Sequence, residues 1–218
     1  MRILAVVNNK GGVGKTTTSG HLGVQAELDG FGPVVFIDMD EQGSLSEWWN
    51  AREAQTPLYM HSTVQDLVQN LVKLKENGAK LVIIDTLPGK TADATAIIES
   101  VIAASDMVLI PTRPSPLDLR AIGPTIDKVE AAGKRMVFVL NGAANRASIT
   151  GKAAVELSQY GTVAPVTLYQ RTLFADSMAD GRTAQEVEPE GKSAIEIKSL
   201  WQYVNKQLNI ATNKHSNT

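Results

Sequence analysis

Nine residues near the N-terminus, Asn9-Lys10-Gly11-Gly12-Val13-Gly14-Lys15-Thr16-Thr17, gather three glycines, two lysines and two hydroxyls. Successive N–H groups of a glycine-rich turn, followed by the positive end of a helix, form an anion-binding concavity. In such a loop a lysine reaches the β- and γ-phosphates of a nucleoside triphosphate, and the hydroxyl after it ligates Mg²⁺. Lys15 and Thr16 stand at those places. The strict pattern G-x-x-x-x-G-K-[ST] fails at its first position, which is Asn9, and a further lysine, Lys10, follows it. A second cation so close to the first is repelled unless it points elsewhere, either into solvent or into phosphates held by another copy of the chain. Carboxylates supply the rest of the chemistry. Asp38 and Asp40 are two apart at the end of an apolar run, so extended geometry turns both to one face. Two such groups facing a phosphate are sensible only with a metal ion or a water between them. Asp85 closes the apolar run Leu81–Ile84 and fits the acid that holds Mg²⁺ through water.

The elements that must position these residues alternate between short apolar runs and helix-length segments. That alternation predicts an α/β fold, a doubly wound, mostly parallel sheet with helices on both faces. The buried strands read as Ile3–Val7, Val34–Ile37, Leu81–Ile84, Met107–Ile110 and Val137–Leu140. Val163–Leu168 is a sixth, placed near an edge because Pro165 interrupts it. Helices fit Thr16–Asp29, Val64–Glu76, Ala92–Ala103, Leu119–Ala132, Ser148–Gln159 and Ser193–Leu208, and a glycine follows several of them at the C-cap position. The last helix carries one apolar stripe, including Ile195, Ile197, Leu200, Trp201, Val204 and Leu208. Residues 1–208 read as one domain and 209–218 as a polar, frayed tail. Loops after the first three strands leave the carboxyl edge of the sheet, where open α/β folds bind ligands.

The loop resembles the deviant Walker A loop of the ParA/MinD family of ATPases. Three further segments match in order and spacing: Phe36-Ile37-Asp38-Met39-Asp40-Glu41-Gln42-Gly43-Ser44, Leu81-Val82-Ile83-Ile84-Asp85-Thr86, and Leu109-Ile110-Pro111-Thr112-Arg113-Pro114-Ser115-Pro116-Leu117-Asp118. The resemblance runs from Met1 to about Leu208 and is strongest to the small ParA proteins. It implies that the loop binds ATP with Mg²⁺, that Asp40 orients the attacking water, and that Asp38 supports Thr16 and the Mg²⁺ water shell. It implies that Lys10 crosses the interface of an ATP-sandwich homodimer, like an arginine finger supplied in trans. Thr86-Leu87-Pro88-Gly89 resembles a second switch, in which Gly89 swings towards a γ-phosphate. Asn141 sits where the family places an adenine contact, and a loop-start asparagine is the alternative. Pro111–Pro116 is expected to be non-helical, either a stiff loop or a surface at the dimer or a higher assembly. Glu41 departs from the family, which has proline there, so a looser or differently shaped switch loop is expected.

Composition narrows the function classes. A chain of 218 residues, 43% of them hydrophobic, buries one sizeable core. There is no cysteine, which excludes disulfides, Fe–S clusters and thiolate zinc sites, and with them nitrogenase iron protein and cysteine-bearing scaffold ATPases of the wider family. His21, His61 and His215 show no ligand spacing. No run is long enough to cross a bilayer, no signal or transit peptide fits before the first strand, and the location expected is the cytoplasm, at the nucleoid. A net charge of −2 gives no global pull to nucleic acid, so DNA contact needs a local patch or a dimer. Arg135, Arg146, Lys152, Lys192, Lys198 and Lys206 are candidates for that face, or an ordinary solvated surface. Trp48 and Trp49 suit packing or partner binding, and packing is the simpler reading.

The function expected is a DNA partitioning ATPase. ATP closes a dimer on non-specific DNA, and a small centromere-binding ParB-type partner stimulates hydrolysis and releases it. With the loop at residue 9, no DNA-reading domain is expected ahead of it. Other cargo is the alternative, such as a conjugation relaxosome, a chemotaxis array or another protein assembly. A MinD-like membrane ATPase would need a basic amphipathic C-terminal helix, and here the stripe is more simply core.

Overall fold

The structure is a computed structural model that describes residues 1–89, 91–145 and 148–213, with the side chains of 210–213 left aside. Seven strands form one sheet: β1 (Arg2–Val6), β2 (Val34–Asp38), β3 (Leu58–Tyr59), β4 (Leu81–Asp85), β5 (Met107–Thr112), β6 (Arg135–Ala143) and β7 (Thr162–Tyr169). They lie in the order β3-β2-β4-β1-β5-β6-β7, and every pairing is parallel. Parallel neighbours need crossovers, and the helices supply them. These are α1 (Lys15–Leu28), α2 (Ser44–Asn50), α3 (Leu67–Glu76), α4 (Ala92–Ala104), α5 (Pro116–Ala121), α6 (Gly123–Ala131), α7 (Ser148–Leu157), α8 (Thr172–Asp176), α9 (Ala184–Val187) and α10 (Lys192–Asn213), with a 3₁₀ turn over Ser177–Asp180.

Alternate residues of each strand feed two cores. Leu4, Val6 and Phe36 pack with Leu22 of α1 and with Leu200, Trp201 and Val204 of α10. Ala5, Val7 and Ile37 pack on the other face with Leu71, Ile98, Ile126 and Leu157, from α3, α4, α6 and α7. Both faces being covered explains why the strands read as unbroken apolar runs. The doubly wound, parallel α/β fold read from the sequence is the fold observed.

Several boundaries differ, each for a local reason. The strand β3 went unread because two residues carry no period, and α3 begins at Leu67, not Val64. The segment expected as one helix over Leu119–Ala132 is two, parted where Pro124 opens the first turn of α6. Pro111–Pro116 is not a loop throughout. Pro111 and Thr112 finish β5, and Pro116 starts α5 at a position where its missing N–H has no partner to lose. The strand β7 does lie at the edge, and its register with β6 is irregular around Pro165. The helix α10 continues to Asn213, five residues past Leu208, where it was expected to end. Its stripe is core except for Ile195, which is exposed. No helix among the described residues is long and apolar enough to cross a membrane.

Candidate functional site

The loop between β1 and α1 is pinned before it turns. Asn8 Nδ2 donates to Pro111 O at 2.9 Å, and Asn8 Oδ1 accepts the Lys10 N–H at 2.9 Å. Gly12 and Gly14 then take left-handed conformations, with φ of 71° and 89°. Gly14 is doubly constrained, because a Cβ there would lie 2.1 Å from Asn141 Nδ2. That amide donates to Val13 O at 2.7 Å, so Asn141, inside β6, buttresses the loop. Two clefts open on it. One, of about 600 Å³, runs past Gly11, Lys15, Thr16, Asp40 and Pro88 to Trp48. The other, of about 530 Å³, lies between Gly12, Thr17, Arg113, Asn141 and Tyr169.

Lys15, the first residue of α1, is buried, and burial lowers its pKa against the raising influence of Asp85 and Asp40. Thr16 Oγ1 donates to Asp85 Oδ2 at 2.6 Å, which leaves its lone pairs free for a cation. Ser19 Oγ donates to the other oxygen at 3.1 Å. Asp85 is fully buried. Burial pushes it up to about 7, while the bond from Thr16 and the charge of Lys15 pull it down. Asp38 and Asp85 are register partners across β2 and β4, so the two acids stand side by side. Burial raises Asp38 too, although three N–H groups donate to it, from Asp40 at 3.0 Å, Leu45 at 3.1 Å and Ser46 at 3.2 Å. Thr16 therefore bonds to Asp85, and the Asp38 carboxylate is spent on the start of α2. No cluster of three or more His, Asp or Glu that could hold a metal by itself exists among the described residues. The donor set fits a hard cation that keeps waters and takes phosphate oxygens, as Mg²⁺ does.

Asp40 faces the phosphate cleft. Its turn is closed by Gly43 N–H donating to Asp40 O at 2.8 Å and Gln42 N–H donating to Asp40 Oδ1 at 3.0 Å. Glu41 stands within this bonded turn in place of the family's proline, and Gly43, with φ of 65°, supplies the bend. In segment 86–89, Thr86 Oγ1 donates to Val6 O at 2.8 Å, and Gly89 packs so close to α4 that a Cβ would lie 2.2 Å from that of Ala94.

Lys10, partly exposed, is paired within its own chain. Its Nζ lies 2.7 Å from Oδ1 of Asp118, whose side chain is 7% exposed against 37% for Lys10. Ser115 Oγ caps α5, accepting the Asp118 N–H and donating to the other carboxylate oxygen. Sequence reasoning assigned Asp118 no role, although Ser-x-x-Asp behind a proline is a cap signature. Trp48 is buried against Phe36, with ring centroids 5.7 Å apart, and Trp49 stacks on Tyr59, so both pack. Among the basic candidates, Arg135 is bonded to Gln207 of α10, Lys152, Lys192, Lys198 and Lys206 are exposed, and Arg146 lies outside the described residues.

Comparison with known proteins bears on the fold and the family. The profile of the CobQ/CobB/MinD/ParA nucleotide binding domain matches residues 4–184. The chain is 34% identical over 203 residues to Maintenance of carboxysome distribution protein A of Halothiobacillus neapolitanus, across 88% of this chain and 91% of that protein. The MinD structure of Pyrococcus horikoshii with Mg-ADP has a TM-score of 0.77 at 18% identity, covering 96% of this chain and 98% of that one. The Cyanothece McdA complex with ATP has a TM-score of 0.73 at 16% identity, covering 96% of each chain. Those two likenesses speak for the fold. The profile and the 34% identical relative establish kinship, and the chain belongs to the CobQ/CobB/MinD/ParA family of nucleotide-binding domains.

Proposed function

We propose that the protein is an Mg²⁺-dependent ATPase that closes into an ATP-sandwich homodimer, holds non-specific DNA while closed, and lets go when a partner protein stimulates hydrolysis. The observation that carries this reading is the separation of the two lysines. Lys15 is buried in its own loop, whereas Lys10 is held outside it by Asp118. A cation excluded from its own phosphate site is free to serve another, once the pair with Asp118 is exchanged for phosphate. Thr16 and Asp85 would hold Mg²⁺, which neutralises charge on the phosphates. Lys15 and the loop amides bind the β- and γ-phosphates, and Asp40 orients water. Asn141 Oδ1, whose amide nitrogen is already committed to Val13, offers an acceptor beside the second cleft, suited to the exocyclic amine of adenine.

The cargo follows less directly from the residues. The expectation of a plasmid with a ParB-type partner stands beside a second reading, a protein assembly. The name of the 34% identical relative, which concerns carboxysome distribution, favours the second. Both use the same switch, so the test of the function is common to them. Light scattering should show a dimer with ATP and Mg²⁺ and a monomer with ADP. Retention of random-sequence DNA should follow the dimer and fall steeply from low to physiological salt, because the contacts are to phosphate. Equal DNA retention by the apo, ADP and ATP forms would refute the switch.

A further inference from the structure

The loop carrying Asp40 leads directly into α2, and α2 is tied down at both ends. At its start the Asp38 carboxylate accepts the N–H groups of Leu45 and Ser46. Just past its end stands Arg52, with a side chain only 2% exposed. Its Nη1 donates to Gly181 O at 2.7 Å and to Glu186 Oε2 at 3.0 Å. Its Nη2 donates to Glu186 Oε1 at 2.8 Å and to Thr56 O at 2.9 Å. The guanidinium also lies 5.0 Å from the centroid of Trp48, the ring that ends the phosphate cleft. Gly181 must be glycine for this approach, since a Cβ there would lie 2.4 Å from Arg52 N, at a φ of 78°.

The same stretch grips the helix of the phosphate loop. The Ala184 N–H donates to His21 Nε2 at 3.1 Å, and Gln185 Nε2 donates to His21 O at 2.7 Å. His21 Nδ1 donates to Thr17 O at 2.8 Å, one residue past the metal-side hydroxyl. Trp48 completes the bridge by donating to Arg182 O at 3.0 Å. Residues 181–186 are thus bonded to α1 on one side and to α2 on the other. The Arg52 Nε–H has no partner among the described residues, and the four Nη bonds, spread over two main-chain carbonyls and a bidentate carboxylate, fix the fork's position as well as its charge.

We propose that Arg52, through its pair with Glu186, is a positioning residue for hydrolysis. It locks α2 against α1 and so sets where Asp40 stands relative to the phosphates. This rests on the reading of Asp40 as the residue that orients water. Arg52 itself touches no part of the phosphate loop, so the clamp acts on turnover and leaves nucleotide affinity alone.

The test compares wild type with Arg52→Gln, Arg52→Lys and Glu186→Gln. Three quantities are read: affinity and stoichiometry for a fluorescent ATP analogue, ATP turnover per bound site, and the ATP-induced change in tryptophan emission, assigned by its loss in Trp48→Phe. Arg52→Gln and Glu186→Gln should bind within about threefold of wild type. Their turnover should fall by about tenfold or more, because Asp40, whose position the clamp sets, acts on the attacking water and not on nucleotide binding. The emission change should shrink with it, and Arg52→Lys, with charge but no fork, should lie between. Glu186→Gln carries the test if Arg52→Gln does not fold. Lower melting temperature and stoichiometry with unchanged turnover per bound site would overturn the proposal, as would loss of nucleotide affinity in a folded variant. A wild-type protein that binds ATP without hydrolysing it would refute the ATPase reading instead. The emission change would then still report whether Arg52 couples α2 to the phosphates.

Discussion

Asp118→Asn should make the ATP-dependent dimer tighter. If Lys10 serves the phosphates of a second protomer, each protomer must first give up the 2.7 Å pair with Asp118. Because the lysine is 37% exposed, the pair is discounted well below a buried ion pair. A value of about 1 kcal/mol, between an exposed salt bridge and a charged hydrogen bond, is reasonable. A dimer breaks two such pairs, so removing them shifts association by about 2 kcal/mol, or roughly thirtyfold in the dimer dissociation constant. Asparagine keeps the shape and can still accept the Ser115 hydroxyl, so the cap on α5 survives and the change isolates charge. Sedimentation equilibrium with a non-hydrolysable ATP analogue reads the constant directly. An unchanged or weaker dimer would refute the idea that Lys10 is exchanged between Asp118 and a second protomer.

Lys10→Ala should keep monomer affinity for ATP within about tenfold, since Lys15 and the loop amides remain, yet lose dimerisation in the same sedimentation assay. Lys15→Ala should lose ATP binding and hydrolysis together, measured by calorimetry and phosphate release, because Lys15 is the buried cation of the loop. Asp40→Ala should bind ATP and dimerise but turn over more slowly by about 3 kcal/mol, roughly a hundredfold; failure to bind nucleotide would exchange the roles of Asp38 and Asp40. His21 is fully buried and its pKa falls from 6.5 to about 4, chiefly by burial. Between those values the unfolded chain holds the extra proton, so stability present above pH 6.5 declines as pH falls to about 4, by about 3 kcal/mol in all. Asp85, raised to about 7, acts in the opposite sense over the same range, so the check is the difference between wild type and His21→Gln in urea unfolding, and the wild type should lose this amount relative to the variant as pH falls from 6.5 to about 4.

What the sequence disclosed and what it hid divide along a physical line. The strands β1, β2, β4, β5 and β6 were legible because each is buried on both faces, and burial leaves an apolar run. The P-loop was legible because left-handed Gly12 and Gly14 and the backbone nest leave few residues acceptable. Asp38, Asp40 and Asp85 were legible by their place at strand ends, but not their partners. That Thr16 pairs with Asp85 while Asp38 holds α2 depends on sheet order, which puts β4 between β1 and β2. Lys10 shows the same limit. Its oddity in the loop was visible, yet Asp118 lies over a hundred residues away and meets it only because β5 runs beside β1. The Arg52 clamp was hidden entirely, because Glu186 and His21 gain meaning only once residues 181–186 fold back between α1 and α2.

Electrostatics gives the site its direction. Asp38 and Asp85 stand side by side and buried, both with raised pKa values, and Lys15 is the loop's one buried cation. Phosphate brought alone would add negative charge beside two acids whose pKa values burial already raises. Phosphate brought with a divalent cation reverses the balance, because the cation stabilises the ionised carboxylates and the phosphate oxygens at once. The loop amides alone would accept many anions. The acids behind Thr16 are what make the site prefer a nucleotide with its metal. Removing Mg²⁺ with a chelator should therefore cost affinity well beyond the loss of one ligand bond. Titration by calorimetry with and without the chelator would show it, and equal affinity for ATP in both would mean that the two acids serve the fold alone.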